Sequence, residues 1–311
     1  MSSAGLARVD VVCGPTAAGK SALAMRLAGR HGLAVVSADS RQVYRGFDVG
    51  TAKPAAAERA SVPHFGVDVA DPRERYSAAR WAASFDEWAD AARASGRAPL
   101  VVGGTGLYLR ALGAPLFDEP PLDADRRAAI EPVLAKFPGD ELRRWVKEID
   151  PARAHLGRTQ LQRAVEVALL SGRRVSALHA EAARAPRHAL RYLVVDPGRD
   201  VLRARIAQRT DAMLAAGWVD EVRALLRRVP DDAPAWNGTG YETLRRHVRG
   251  ELSLDDARDR IVTETRQYAK RQRTWFRHQL RDAEVVWLDP LDPRADDVAE
   301  AWLHGRRSAD A

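Results

Sequence analysis

Short apolar runs alternate with stretches of helical periodicity over the first hundred residues of the chain. Strands that alternate with helices in this way are typical of a parallel sheet flanked by helices. Two further runs of the same kind follow later in the chain, so the pattern predicts an α/β fold. The predicted strands are residues 9–13, 33–36, 99–102, 192–195 and 285–288.

The stretch 118–188 has a different pattern. It begins with the breaker DEPP, shows no strand signal, and has helical periodicity at 126–136, 141–149 and 161–170. Because a strand pattern resumes at Tyr192, we interpret this stretch as an all-helical insertion domain. The predicted domains are an α/β core with C-terminal helices, residues 1–117 and 189–311, and the insertion, residues 118–188.

The composition narrows the class of protein. Of the 311 residues, 46% are hydrophobic and 29% charged, which excludes wholesale disorder. The single cysteine, Cys13, excludes a disulfide framework and indicates a reducing compartment. No apolar run approaches the ~18 residues of a membrane span, and the N-terminus lacks the order of a signal peptide. We therefore expect a cytoplasmic protein that does not associate with membranes.

The net charge of +7 is concentrated in two stretches. Residues 151–191 and residues 245–281 each carry +6, which leaves −5 for the rest of the chain. Within the second stretch, residues 266–281 contain six basic residues, no acidic residue and three aromatic residues. Basic residues interleaved with aromatics suit a phosphate backbone and unstacked bases. A solvated helix face with inward-packed aromatics would have the same composition, so this stretch alone does not decide the function.

A glycine-rich loop follows the first predicted strand. It matches the pattern G-x-x-x-x-G-K-[ST], with an amphipathic helix after it, as phosphate binding requires. Its backbone N–H groups and the helix N-terminus attract phosphate oxygens, so we expect it to bind a diphosphate or a triphosphate such as ATP. Lys20 would bridge phosphate oxygens and Ser21 would ligate Mg²⁺. The loop consists of Gly14, Pro15, Thr16, Ala17, Ala18, Gly19, Lys20 and Ser21.

The phosphate loop does not show which bond breaks, because kinases, NTPases and alkyltransferases can all use one. The residues after the other strands narrow the choice, since ligands of open α/β sheets bind beyond the carboxyl ends of the strands. Asp39 follows the second strand, where its carboxylate could position Mg²⁺, accept a proton or cap a helix. Thr105 offers a hydroxyl in a glycine-rich turn after the third strand.

The combination of motifs resembles the tRNA dimethylallyltransferases, also called tRNA isopentenyltransferases. The matching segments occur in the family's order and cover nearly the whole chain, which is far more specific than the phosphate loop alone. They are GPTAAGKS at 14–21, SADSRQVYRG at 37–46, DVGTAKP at 48–54, VGGTGLYLRAL at 102–112, RAVEV at 163–167, GYE at 240–242 and TRQYAKRQRTWFR at 265–277. With the phosphate loop in place, the expected core is P-loop NTPase-like.

The resemblance implies transfer of a dimethylallyl group from dimethylallyl diphosphate to the exocyclic amine of the adenosine 3′ of the anticodon in tRNA, with release of diphosphate. Carried over by position, Lys20 and Ser21 with Mg²⁺ would hold the diphosphate. Asp39 would act as the general base, and Thr105 would position the amine or the diphosphate. Arg205 and Arg209, four residues apart on one face of a predicted helix, would clamp the leaving group.

We expect the protein to be a monomer. The resemblance also implies contacts with the anticodon stem-loop of tRNA. Two positions depart from the family pattern and bear on the detail of anticodon-loop recognition: Gln160 stands where an arginine is common, and Asn237 where a glutamine or arginine is common. The implied tRNA contacts are Asp39, Ser40, Arg41, Gln42, Thr105, Arg127, Thr159, Gln160, Leu161, Gln162, Arg163, Asn237, Gly238, Thr239, Gly240, Tyr241, Glu242, Lys270, Arg271 and Arg273.

Three alternative functions share parts of this pattern. A nucleotide or small-molecule kinase also combines a phosphate loop with an arginine-rich helical lid, although a small acceptor would not require the basic aromatic stretch. A nonenzymatic P-loop RNA-binding switch would use the same electrostatics without a base. A related transferase would prenylate free adenine nucleotides instead of tRNA.

Overall fold

The structure is a computed structural model that describes residues 6–114, 122–181, 187–280 and 283–305. The predicted boundary between residues 117 and 118, its DEPP breaker, and Arg281 of the basic stretch lie outside the described residues. The chain forms two compact units. We call the first, built from the residues up to Gly113 and from Arg187 onward, the core unit, and the residues between them the helical unit.

The core unit contains a six-stranded parallel sheet. In chain order its strands are β1 (Ala7–Cys13), β2 (Leu33–Ala38), β3 (His64–Phe65), β4 (Ala98–Gly103), β5 (His188–Val195) and β6 (Glu284–Leu288). They lie in the order β3-β2-β4-β1-β5-β6. All pairs are parallel, with Val11 opposite both Val101 and Tyr192. The five predicted strands and the α/β fold are confirmed, whereas the two-residue β3 was not predicted.

Nine described helices belong to the core unit and four to the helical unit. The former are α1 (Lys20–His31), α2 (Ala56–Ser61), α3 (Ala78–Ala94), α4 (Gly106–Gly113), α9 (Arg199–Ala215), α10 (Trp218–Leu226), α11 (Tyr241–Val248), α12 (Leu254–Gln279) and α13 (Ala295–His304). The latter are α5 (Ala124–Leu134), α6 (Gly139–Ile149), α7 (Arg158–Ser171) and α8 (Val175–Glu181).

The core of the sheet explains why its strands read as continuous apolar runs. Val11, Val12, Leu193 and Val194 are fully buried, because helices cover both faces of a parallel sheet. Helix α1 buries its apolar stripe of leucine and alanine against this core and ends at Gly32, whose φ of 62° suits a glycine C-cap. The phosphate loop is therefore anchored between a buried strand and a buried helix.

The helical unit has an apolar core of its own. Leu142 and Val146 of α6 pack with Leu161 and Val165 of α7, and all four side chains are fully buried. Helices α5, α6 and α7 overlap the three predicted stretches, whereas α8 was not predicted, and the described part of the unit contains no strand.

No helix in the described part of either unit is both long and apolar enough to cross a membrane.

Candidate active site

The phosphate loop connects β1 to α1 in a conformation that requires glycine at two positions. Gly14 has a φ of 144°, and a Cβ at this position would lie 2.2 Å from the carbonyl oxygen of Val195. Gly19 has a φ of 103°, in the left-handed region that favours glycine. The Lys20 ammonium donates a hydrogen bond of 2.7 Å to the carbonyl of Pro15, which holds the lysine over the loop.

Two arginines of α9 lie on the phosphate loop. Arg205 Nη1 donates to the carbonyl of Ala18 at 3.0 Å, and Arg209 Nη1 donates to Thr16 Oγ1 at 3.3 Å. Burial lowers the pKa of Lys20 to about 8, with a smaller contribution from the charge of Arg209. Burial also lowers the pKa of Arg209. Three cations concentrated on one loop indicate a site for a polyanion.

Gln272 of α12 ties the phosphate loop to the glycine-rich turn after β4. Its Oε1 accepts a hydrogen bond of 2.8 Å from the Thr16 amide, and its Nε2 donates one of 2.8 Å to the carbonyl of Gly104. The side chain is buried, and a Cβ on Gly104 would lie 2.4 Å from Nε2. The sequence analysis did not single out Gln272, because neither partner is near it in the sequence.

Asp39 lies at the carboxyl end of β2. Its Oδ1 accepts a hydrogen bond of 2.8 Å from the Arg41 amide, which forms a local turn. The Thr105 hydroxyl accepts one of 3.0 Å from the Ser40 amide and bonds to the phenol of Tyr268. Burial, followed by the charge of Asp39, raises the pKa of Tyr268 to about 12. The carboxylate therefore faces a neutral phenol and a hydroxyl held in place.

These groups surround one cleft of about 860 Å³. Its walls include Lys20, Ser21 and Asp39 together with both arginines of α9. The structure thus brings the predicted diphosphate ligands and the predicted base to one side of the sheet, beyond the strand ends. Thr105 adjoins the cleft through its contacts with Ser40 and Tyr268.

The chain matches the family model described as IPP transferase over residues 42–279 and that described as isopentenyl transferase over residues 7–64. The chain belongs to the IPP transferase family. A tRNA dimethylallyltransferase of Anaeromyxobacter sp. (strain Fw109-5) is 45% identical over 304 residues, covering 96% of this chain and 99% of the relative.

Solved structures of the family have the same fold. The full-length tRNA isopentenylpyrophosphate transferase of Bacillus halodurans superposes with a TM-score of 0.67 at 31% identity, covering 97% of this chain and 99% of that one. A eukaryotic dimethylallyltransferase acting on tRNA superposes with a TM-score of 0.79 at 24% identity, covering 98% of this chain and 80% of that one. These comparisons confirm the resemblance to tRNA dimethylallyltransferases and the predicted fold.

Gln42 is one of the predicted tRNA contacts of this IPP transferase, and its side chain is held internally. Its Oε1 accepts from Ser37 Oγ at 2.9 Å, and its Nε2 donates to the carbonyls of Thr51 and Ala52. The loop that supplies these carbonyls is fixed by Glu221, whose Oε2 accepts from the amides at positions 48 and 49 at 2.8 and 2.7 Å. A contact between Gln42 and tRNA would therefore compete with these bonds.

The segment 237–242 and Arg271 line a second cavity of about 530 Å³ in the core unit. Tyr241 is the exception, because its side chain is 1% exposed and its hydroxyl donates to Glu221 Oε1 at 2.7 Å. The Tyr241 side chain is thus held internally, and a tRNA contact at this position stays a prediction. The aromatic ring of Tyr241 packs in the core of the unit.

The basic side chains near the end of α12 are of two kinds, exposed and paired. Lys270 and Arg271 are exposed. Arg273, in contrast, bonds the buried Asp196 at the end of β5, with Nε 2.8 Å from Oδ1. The carboxylate of Asp196 pairs with Arg273, so a contact between Arg273 and tRNA, which stays a prediction, would compete with this ion pair.

Six of the predicted tRNA contacts lie in the helical unit. Arg127 of α5 and Arg163 of α7 both bind the buried carboxylate of Glu166, with Arg127 Nε 2.6 Å from Oε1. Thr159 and Gln160 are exposed at the start of α7, and Gln162 is half-buried. The Leu161 side chain is fully buried in the core of the unit, and a tRNA contact at this position stays a prediction.

Proposed function

We propose that this chain transfers a dimethylallyl group from dimethylallyl diphosphate to the exocyclic amine of the adenosine 3′ of the anticodon in tRNA, releasing diphosphate. The observation that carries the proposal is the cleft in which Lys20, Arg205 and Arg209 converge on the phosphate loop opposite Asp39. Membership of a family whose relatives are named tRNA dimethylallyltransferases supports an alkyl transfer over the kinase alternative.

The chemistry requires a strong electrophile, because the lone pair of the adenine amine is delocalised into the ring. The bond between C1 of the allyl group and the diphosphate oxygen breaks, and the electron pair leaves with the diphosphate. Lys20, the two arginines and the N-terminus of α1 would stabilise that developing charge. The amine nitrogen forms the new bond to C1, and its proton passes to the carboxylate of Asp39.

The residues of the cleft suit a hard cation held by oxygen ligands. Ser21 stands at the start of α1 in the cleft wall, so its hydroxyl and the diphosphate oxygens would hold Mg²⁺. When bound, Mg²⁺ would add positive charge at the leaving group. Lys20 would approach the same phosphate oxygens from the loop, so the protein's own cations share this role.

The acceptor adenosine must leave its stack to reach a cleft at the end of the sheet. Extrusion costs a few kcal/mol, and least where the base lies in a single-stranded loop. Exposed Lys270 and Arg271 of the core unit, and the exposed start of α7 in the helical unit, would supply contacts that offset this cost. Because tRNA is the acceptor, we expect the reaction in the cytoplasm, and the monomeric state stays a prediction.

The proposal is tested by incubation with radiolabelled dimethylallyl diphosphate and unmodified tRNA. Label in tRNA, recovered as prenylated adenosine, is the expected result. Phosphate transfer from labelled ATP without prenylation would favour a kinase. Competition by AMP that abolishes tRNA labelling, with label recovered in the nucleotide, would favour a transferase for free adenine nucleotides.

We expect Asp39→Asn to lower turnover by about 100-fold or more, because a positioned base typically contributes ~100- to 10,000-fold. The affinity for tRNA should change little, as measured by filter binding. Asp71→Asn is a matched control, because Asp71 accepts a turn hydrogen bond from the Arg73 amide at 2.9 Å and does not line the cleft. Equal turnover of the two variants would exclude Asp39 as the base.

A further inference from the structure

Two helices of the core unit end at a cluster of metal-ligating side chains. His31 is the last residue of α1, and His304 is the last residue of α13, where it follows Glu300 by one helical turn. One ligand atom from each of these three residues lies within 4.8 Å of those of the other two. None of the three residues lines the cleft, so the cluster is separate from the site of transfer.

Glu300 lies at the centre of the cluster. Its Oε2 is 2.5 Å from His31 Nε2 and 3.8 Å from His304 Nε2. The two imidazole rings are nearly perpendicular, with their centroids 5.3 Å apart. Its Oε1 accepts a hydrogen bond of 3.1 Å from Arg30 Nη1. One carboxylate oxygen thus faces both imidazoles, while an arginine binds the other oxygen and orients the carboxylate.

Apolar packing holds the two helices in place beside this cluster. Leu27 and Ala28 of α1 are buried in the same core as Ala299 and Trp302 of α13. Because these side chains fix both backbones, the neighbouring ligand residues are close together before any ion binds. Such preorganisation lowers the entropy cost of binding.

Two imidazoles and one carboxylate form a ligand set that suits Zn²⁺, whereas Mg²⁺ prefers oxygen ligands alone. At zinc bond lengths of about 2.1 Å, the ligand atoms of a tetrahedral site are about 3.4 Å apart, so side-chain shifts of about 1 Å would complete the site. Both histidines stand at helix C-termini, where the backbone carbonyls favour a cation. The Arg30 side chain opposes the ion, but it is 54% exposed, so solvent and salt screen its charge.

We propose that His31, Glu300 and His304 bind one Zn²⁺ ion, which joins the end of α13 to the end of α1. The side chain of His304 is 49% exposed, so water can reach the ion and supply the fourth ligand. Binding would replace the hydrogen bond between His31 and Glu300 by a bond from each residue to the metal. The ion would stabilise α13 on the core unit, and the proposal does not depend on the proposed transfer.

The test is a calorimetric titration of the untagged protein with Zn²⁺ in an excess of Mg²⁺, which occupies the oxygen ligands of the cleft. The unaltered protein should bind about one Zn²⁺ per chain. Loss of a group that only supports a ligand weakens metal binding about 10- to 100-fold, so His304→Ala and Glu300→Gln should each weaken it at least ~100-fold. His155→Ala is the matched control, because His155 is exposed in the helical unit.

Hydrogen exchange gives a second measurement that reports on α13 itself. Zn²⁺ should slow backbone exchange in residues 295–304 of the unaltered protein and of His155→Ala, because an ion that binds only the folded helix opposes its opening. The same addition should have no effect on exchange in His304→Ala. Circular dichroism without zinc would show that this variant, altered at a half-exposed side chain, is folded.

Two outcomes would overturn the proposal. Zinc binding that persists in His304→Ala and is lost in Asp39→Asn would assign the ion to the cleft. Absence of saturable zinc binding by the unaltered protein would leave the cluster as a network of ion pairs. Dimethylallyl transfer in Mg²⁺ should be equal in His304→Ala and the unaltered protein, and its absence from both would contradict the proposed function alone.

Discussion

Single residues in the cleft combine charge with burial, and Lys20 shows the consequence most clearly. Its ammonium lies against a loop of backbone N–H groups and two arginines, so solvent screens its charge poorly. Burial lowers its pKa to about 8, close to physiological pH. Binding of an anionic donor should therefore depend on the protonation of this one group.

We predict that kcat/KM for dimethylallyl diphosphate falls as the pH rises through about 8, because Lys20 in the free enzyme loses its proton there. Below that pH the lysine is charged and binds the diphosphate. Steady-state kinetics between pH 7 and about 10 would measure the profile. Lys20→Arg keeps the charge at alkaline pH and should remove the decline, whereas an unchanged decline in that variant would assign the titration to another group.

At the scale of elements, α12 has different functions along its length. Gln272 joins the phosphate loop to the turn after β4. Arg273 binds the end of β5 through Asp196, whereas Lys270 and Arg271 remain exposed. One helix thus supports the donor site on one face and presents cations on another.

We expect Gln272→Glu to raise the KM for the donor about tenfold. The new carboxylate can still accept from the Thr16 amide, but it cannot donate to Gly104, and it places a negative charge beside the phosphate loop. The lost bond should cost about 1–3 kcal/mol of unfolding free energy, measured by chemical denaturation. Gln279→Glu, the same change at the exposed end of α12, should leave both values unchanged.

A second prediction for α12 concerns its exposed cations. Replacement of Lys270 and Arg271 by alanine should weaken tRNA binding and flatten its dependence on salt, because each lost phosphate contact reduces the number of ions released. Arg273→Ala should mainly lower stability, since it leaves Asp196 buried without its nearest cation. Equal salt slopes for the double variant and the unaltered protein would contradict a role for this face in tRNA binding.

At the scale of the whole molecule, each of the two units has an apolar core of its own in the part that the structure describes. The sheet and its helices form one, and α5 to α8 form the other. In the helical unit the buried Glu166 binds arginines from two helices, Arg127 of α5 and Arg163 of α7. A substitution of Glu166 should therefore destabilise the helical unit before it affects the core unit.

We predict that Glu166→Gln increases backbone hydrogen exchange in residues 122–181 and leaves exchange in residues 6–114 unchanged, because each core can loosen without the other. The loss of the charge removes one ion pair from each of two half-buried arginines, at a cost of about 1–3 kcal/mol. Mass spectrometry of peptic fragments would measure the exchange. Glu148→Gln on an exposed part of α6 serves as the control. A uniform increase in both units would show that they unfold together.

The parts of the fold that are determined by residues close together in the sequence could be predicted from the sequence. Apolar runs located five of the six strands, because strands buried on both faces are continuously apolar. The two residues of β3 were too few to give a pattern. The phosphate loop and Asp39 were found because each directly follows a strand, and strand ends in a parallel sheet share one edge.

The sequence by itself thus determined the α/β core, the helical insertion, the phosphate loop and the family. The tertiary structure alone decided which charged groups are available. Arg273 and Lys270 look equivalent in the sequence, but Asp196, far away in the chain, pairs with Arg273 whereas Lys270 is exposed. The same holds for Gln272 and for Tyr241. Pairing and burial depend on residues that meet only after folding, whereas periodicity and loop motifs depend on residues that are neighbours from the start.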